Sequence, residues 1–177
     1  MTIKVGIFGF AHGHVNAYCN QWRDNPGMDI SVVAAWDHDA VRLEQNAKNY
    51  GLRAYADKGA FLKDPEVQAV IIAAETSLHA ELVELAAAAG KPIVVQKPIA
   101  LSMPQADRIV AAVNRHGVPF SMAWQMRVDP QNVEIKEILK SGKLGQIFMV
   151  RRRHGLGTHQ WPDFTTLWHS KPELNRD

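Results

Sequence analysis

Cysteine is nearly absent: Cys19 is the only one in 177 residues, so no intrachain disulfide can form and a reducing compartment is the expected setting. An excess of one charge is also lacking, with 20 Lys and Arg against 18 Asp and Glu. A net charge of +2 creates no field that would draw the chain to nucleic acid or to an anionic membrane. Long apolar runs are missing as well. The longest, Ala69 to Ala74, is far below the roughly 20 residues of a membrane helix, and Met1 to Phe10 carries Lys4 and two glycines instead of a signal core. These absences leave a small dissolved molecule as the expected partner and the cytoplasm as the expected compartment.

What is present is an alternation of two periods. Apolar β-rich runs occur at Ile3–Phe8, Ile30–Ala35, Ala69–Ala74, Ile93–Val95 and Val118–Met122. Between them the spacing is helical, as in Val15, Tyr18, Cys19 and Trp22, or Leu82, Leu85, Ala86 and Ala89, or Ala106, Ile109, Val110 and Val113. Gly51, Gly90, Gly117 and Gly142 stand where left-handed helix ends belong, and Ser102-Met-Pro-Gln105 reads as a capping box. Continuous apolar strands separated by one-sided helices predict a parallel sheet covered on both faces, the doubly wound α/β class. After Trp124 the pattern changes. Asp129-Pro130 opens a helix ending near Ser141-Gly142, and Ile147–Arg153 reads as a strand. Its three arginines alternate between faces and suit an edge better than a patch. The predicted division is 1–124 and 125–177.

The first strand runs into Gly9-Phe-Ala-His-Gly13-His14 and then a helix, where free N–H groups and the helix dipole favour an anion. Ala11 stands where the dinucleotide fingerprint has its second glycine, so a plain βα turn remains a competing reading. The second strand ends on Asp37, 24 residues past Gly13 and near the usual spacing of a ribose-binding carboxylate, which would favour NAD over NADP. Asp37 could instead cap the following helix. His12-Gly-His14 is also similar to the His-X-His of metal-dependent barrel hydrolases. Such barrels need about 250 residues and a second cluster of ligands, so no metal is expected.

At Val94-Val-Gln96-Lys97-Pro98, Ile72-Ala-Ala-Glu-Thr-Ser-Leu-His79, Gln125-Met-Arg127 with Asp129-Pro130, and Ser141-Gly-Lys-Leu-Gly145, the chain resembles the Gfo/Idh/MocA family of oxidoreductases. The resemblance spans nearly the whole chain. It implies a doubly wound parallel Rossmann sheet over 1–124, followed over 125–177 by the beginning of a second α/β domain with an open sheet. It also implies hydride transfer between NAD, or less readily NADP, and a sugar, inositol or related polyol, and a homo-oligomer formed through the second domain's sheet. Carried over by position, Lys97 is the catalytic lysine beside nicotinamide and substrate, with Pro98 aiming it. The cofactor would meet Gly9, Ala11, His12, Gly13, His14, Asp37, Ala74, Glu75, Thr76, His79, Gln96, Lys97 and Pro98, and Arg127 would reach substrate.

Departures from the family are visible too. Gln96 replaces its Glu, and Glu75 and Thr76 replace its usual Pro-Asn. A protein that binds NAD(H) as a sensor or partner subunit, without turnover, is the alternative that Gln96 favours. The family's Gly-rich stretch followed by Asp-X-X-X-His, which supplies an acid/base histidine, has no counterpart before Asp177. His154, His159 and His169 do not match that motif, so residues 125–177 are expected to be an incomplete substrate domain and the 177-residue chain to be inactive in turnover.

Overall fold

A computed structural model describes residues 1–157 and 160–175; Thr158, His159, Arg176 and Asp177 lie outside the described residues. Six parallel strands form one sheet in the order β3-β2-β1-β4-β5-β6. They are β1 Ile3–Phe8, β2 Ile30–Trp36, β3 Arg53–Tyr55, β4 Ala69–Ile72, β5 Ile93–Val95 and β6 Phe120–Met122. The order reverses direction at β1 and β4, and ligands of open α/β sheets bind beyond the strand ends at such a reversal.

Strand parity divides the core into two layers. Val5 and Ile7 of β1, Ala35 of β2 and Ile71 of β4 share a cluster with Val15 and Cys19 of α1 (His14–Asp24) and Leu43 of α2 (Ala40–Tyr50). Their neighbours in sequence, Phe8, Ala34, Trp36, Val70 and Ile72, point the other way. There they meet Phe61 and Leu62 of α3 (Lys58–Lys63), Leu82, Val83 and Ala86 of α4 (His79–Ala88), and Ile109 and Ala112 of α5 (Met103–His116). Successive side chains on a strand face opposite sides, so apolar residues at every position are what a sheet covered on both faces requires. Burial of this size supplies the main drive to fold, at about 25 cal/mol per Å² of apolar surface.

Several expectations are corrected. β3 and α3 had no apolar run to announce them; β3 is held by pairing with Ala34 to Trp36, and α3 by Asp57, whose side chain accepts the Ala60 N–H at 2.7 Å. On α4 the buried stripe is His79, Leu82, Val83 and Ala86, while Leu85 and Ala89 face outward, because an alanine-rich helix offers little contrast between faces. Ser102 makes no side-chain cap; Gln105 instead accepts the Leu101 N–H. The four left-handed helix ends are present, with φ of +67° to +72° at Gly51, Gly90 and Gly142 and +62° at Gly117.

The described residues fall into two compact units, one formed by residues 1–123 with the segment from Trp168 on, the other by 124–167. The second contains α6 (Pro130–Lys140), with Asp129 accepting the Gln131 and Asn132 N–H groups. The strand expected at Ile147–Arg153 is not formed: Phe148, Met149 and Val150 are exposed and no described residue pairs with them. A strand needs a neighbour for its N–H and C=O groups, and the described residues of this unit offer none.

Candidate functional site

The turn after β1 lies at the reversal point. Gly9 has φ +90°, and a Cβ there would stand 2.5 Å from Ala74 Cα, so only glycine lets the β1 end approach the β4 loop this closely. Its N–H donates to Trp36 O at 2.7 Å, and His12 N–H donates to Ala73 O at 2.9 Å, tying the turn to β2 and β4. Gly13 begins α1 with no side-chain cap, and a Cβ on it would meet nothing within 4 Å. The Val15 and Asn16 N–H groups turn back to the His12 and Gly13 carbonyls. The start of α1 carries no side-chain cap and is open beside Gly13, and the positive end of a helix dipole there suits an anion. Ala11 contributes its carbonyl, which accepts the Trp168 indole N–H at 2.9 Å.

Asp37 closes the end of β2 and is buried. Its Oδ2 accepts the Phe10 N–H at 2.7 Å and Arg42 Nε at 2.8 Å; its Oδ1 accepts Arg42 Nη2 at 2.7 Å and the Asp39 N–H at 2.9 Å. The helix cap is Asp39, not Asp37. Arg42 Nη2 also reaches Glu75 Oε1 at 3.0 Å, and His38 Nδ1 lies 3.4 Å from Asp37 and 3.5 Å from Glu75. Burial works against the Arg42 charge, and the two carboxylates more than offset it, raising its pKa. Sequence reasoning missed Arg42 and His38.

The β4 loop is held from beneath. Ala74 and Thr76 are buried, and the Thr76 hydroxyl donates to Asn175 Oδ1 at 3.4 Å. His79 is fully buried, with Nδ1 3.0 Å from Pro98 O and Nε2 3.2 Å from Ala74 O, so its ring joins this loop to the Lys97-Pro98 turn. The Lys97–Pro98 peptide is cis. Gln96 is buried and its amide donates to the Tyr18 hydroxyl at 3.0 Å. Arg127 belongs to the second unit, exposed in the short turn Gln125–Arg127.

His12 and His14 face each other with ring centroids 4.6 Å apart, and His12 Nδ1 is buried without a hydrogen bond. Burial first, then the charges of His14 and Lys97, hold His12 down to about 3; burial and Lys97 also lower His14. Lys97 thus lies close enough to charge this corner of the site. Among the described residues no three His, Cys, Asp or Glu converge as metal ligands, and an open sheet replaces the barrel that the His-X-His comparison required.

A stability prediction follows from His12. Its folded pKa lies below the unfolded 6.5, so the unfolded chain binds the extra proton, and this stability is complete above about 6.5 and lost as pH falls toward 3. His12→Gln should cost the protein up to about 2 kcal/mol less than wild type between pH about 7 and about 5. Urea unfolding at each pH measures this; equal slopes for both proteins contradict it. His14 and His79, lowered mainly by burial, leave a residual slope of the same sign.

The profile of an oxidoreductase family with an NAD-binding Rossmann fold, Gfo/Idh/MocA, matches residues 3–124. The chain belongs to this family. D-apiose dehydrogenase of Paraburkholderia graminis is 36% identical over 148 residues, covering 83% of this chain and 38% of that enzyme. Inositol 2-dehydrogenase of Salmonella typhimurium is 31% identical over 157 residues, covering 87% and 46%. An Agrobacterium radiobacter oxidoreductase, solved with NAD+, L-tartaric acid and magnesium, superposes with a TM-score of 0.73 at 28% identity, over 82% of this chain and 42% of that one. The chain spans under half the length of these Gfo/Idh/MocA relatives.

Proposed function

We propose that the protein binds NAD in preference to NADP and transfers hydride between it and a sugar, inositol or related polyol, in the cytoplasm. The carrying observation is the β1 turn, where a glycine packed on Ala74 and an uncapped helix start beside open space at Gly13 fit a pyrophosphate. Asp37 braces that turn through the Phe10 N–H, and Thr76 and His79 brace the loop facing it. When bound, the nicotinamide donates or accepts the hydride. Lys97, half-buried beside His12 and His14, would hold the substrate oxygen and stabilise alkoxide character on it. Residues 125–177 would begin the domain that completes the substrate wall, with Arg127 on it, and that joins copies of the chain.

Titration of the 177-residue chain with NADH, read by calorimetry, should give saturable binding with Kd in the range of about 1 μM to 1 mM. Absence of binding for both NADH and NADPH overturns the proposal. Gln96 favours a second reading, a non-catalytic NAD(H) sensor, since a neutral buried amide bonded to Tyr18 stands where the family carries a carboxylate beside the lysine. Loss of NADH absorbance with a panel of keto-sugars favours the enzyme, while tight NADH binding with no turnover in a form carrying the complete second domain favours the sensor. Among the described residues no helix is long and apolar enough to cross a membrane.

A further inference from the structure

Two carboxylates meet one guanidinium at the tips of β2 and β4, and they are not equivalent. A carboxylate has about four acceptor positions. Asp37 has filled four: the N–H groups of Phe10 and Asp39, and Nε and Nη2 of Arg42. Glu75 has not. Its Oε1 accepts Arg42 Nη2, while Oε2 is buried and accepts no hydrogen bond, with the half-exposed ring of His38 3.5 Å away. The Glu75 backbone, at φ −58° and ψ 145°, has the conformation natural to proline, the residue its family usually carries there.

We propose that Glu75, and not Asp37, is the residue that discriminates NAD from NADP. The inference rests on the reading that the turn holds a dinucleotide. Arg42 sits in the first turn of α2, in the neighbourhood where an arginine accommodates a 2′-phosphate in NADP-binding folds of this type. Here Glu75 shares Nη2 of Arg42 with Asp37, and two carboxylates against one guanidinium leave a formal charge of −1. A 2′-phosphate meets that charge, with Nε and Nη2 of Arg42 already given to the two carboxylates, whereas a neutral 2′-hydroxyl meets no such repulsion. The acidity that selects NAD therefore comes from the β4 loop, and Asp37 serves as the brace of the turn.

Neutralising Glu75 leaves Asp37 holding both Arg42 and the Phe10 N–H, so the turn survives while the phosphate penalty goes. Calorimetric Kd values for NADH and NADPH are to be compared across wild type, Glu75→Gln, Glu75→Pro, Asp37→Asn and the double variant Glu75→Gln/Arg42→Met. Both Glu75 variants should bind NADPH about tenfold or more tighter than wild type, with NADH within about fivefold. Arg42→Met should cancel that gain. Asp37→Asn should weaken both cofactors by similar factors. Glu75→Pro keeps the test open if Glu75→Gln folds poorly. If wild type binds NADH and neither Glu75 variant moves the NADH-to-NADPH ratio, this inference is overturned while the cofactor assignment stands. If Asp37→Asn moves the ratio instead, Asp37 is the discriminator. If wild type binds neither cofactor, both readings fall together.

Discussion

If the protein transfers hydride as proposed, Lys97→Met in a complete, active form should lower the rate by about 10²-fold or more, while NADH affinity stays within a fewfold. Methionine keeps most of the length and the apolar stem of lysine and deletes its charge and its N–H donors. That charge reaches His12 and His14 and contributes to lowering both, so it is felt within the corner bounded by the β1 turn and the β5 end. Ground-state binding of a dinucleotide spreads over the whole turn, whereas alkoxide character develops at one oxygen, so a point charge there acts mainly on the transition state. Stopped-flow oxidation of NADH with a reactive keto-sugar, paired with calorimetric NADH titration, separates the two effects. Collapse of NADH affinity with turnover intact would make Lys97 a cofactor anchor. Gln96→Glu is the companion: it restores a carboxylate next to Lys97, should shift the pH–rate profile, and tests whether the amide bonded to Tyr18 tunes the lysine.

The strands legible in the sequence are those whose residues are apolar on both faces. β1, β4 and β5 lie in the middle of the sheet and could be read directly, because parity sends Ile7 to one layer and Phe8 to the other. β3 could not. Arg-Ala-Tyr has no apolar run, and its order comes from pairing with β2 and from Asp64, whose Oδ2 is shared by Arg53 and the Tyr55 hydroxyl. The opposite error occurred at Ile147–Arg153, where β-branched residues invited a strand assignment. β propensity records fitness for a pleated surface, and no such surface is available among the described residues of 124–167.

At the site, the sequence showed the groups that act through position in the chain. Gly9 and Gly13 announce a turn, and Asp37 follows at a spacing set by one βαβ unit. Arg42 was invisible because an arginine in the first turn of a helix ordinarily reads as a solvated face. Its meaning arises in three dimensions, between a carboxylate five residues earlier and another 33 residues later. A cue was nevertheless present: Glu75 in a position where the family has proline marks a charge inserted into the loop over the turn, and an inserted buried charge needs a partner.

Gly9→Val destabilises the fold by about 3 kcal/mol or more and abolishes dinucleotide binding, whereas Gly13→Ala changes stability by less than about 0.5 kcal/mol and still weakens binding. The two glycines of the turn do opposite jobs. At Gly9 the backbone has φ +90°, which a β-branched residue adopts only with strain, and the added Cβ would stand 2.5 to 2.7 Å from the Ala74 Cα, Cβ and N atoms. None of these is the tip of a flexible chain. The clash can be relieved only by moving the β4 loop, which loosens Ala73 O from His12 N–H and Ala74 O from His79 Nε2. Gly13 has ordinary helical dihedrals, φ −56° and ψ −21°, and an alanine methyl there meets no protein atom within 4 Å. What the methyl does occupy is the open space beside the start of α1, where a pyrophosphate would approach the backbone. Urea unfolding and NADH titration of the two variants therefore form a crossed pair. Large loss of stability at Gly9 with little at Gly13, and loss of affinity at both, is the expected pattern. A Gly9→Val protein of wild-type stability would contradict the close packing of the turn on Ala74, and a Gly13→Ala protein of undiminished affinity would place the phosphates elsewhere.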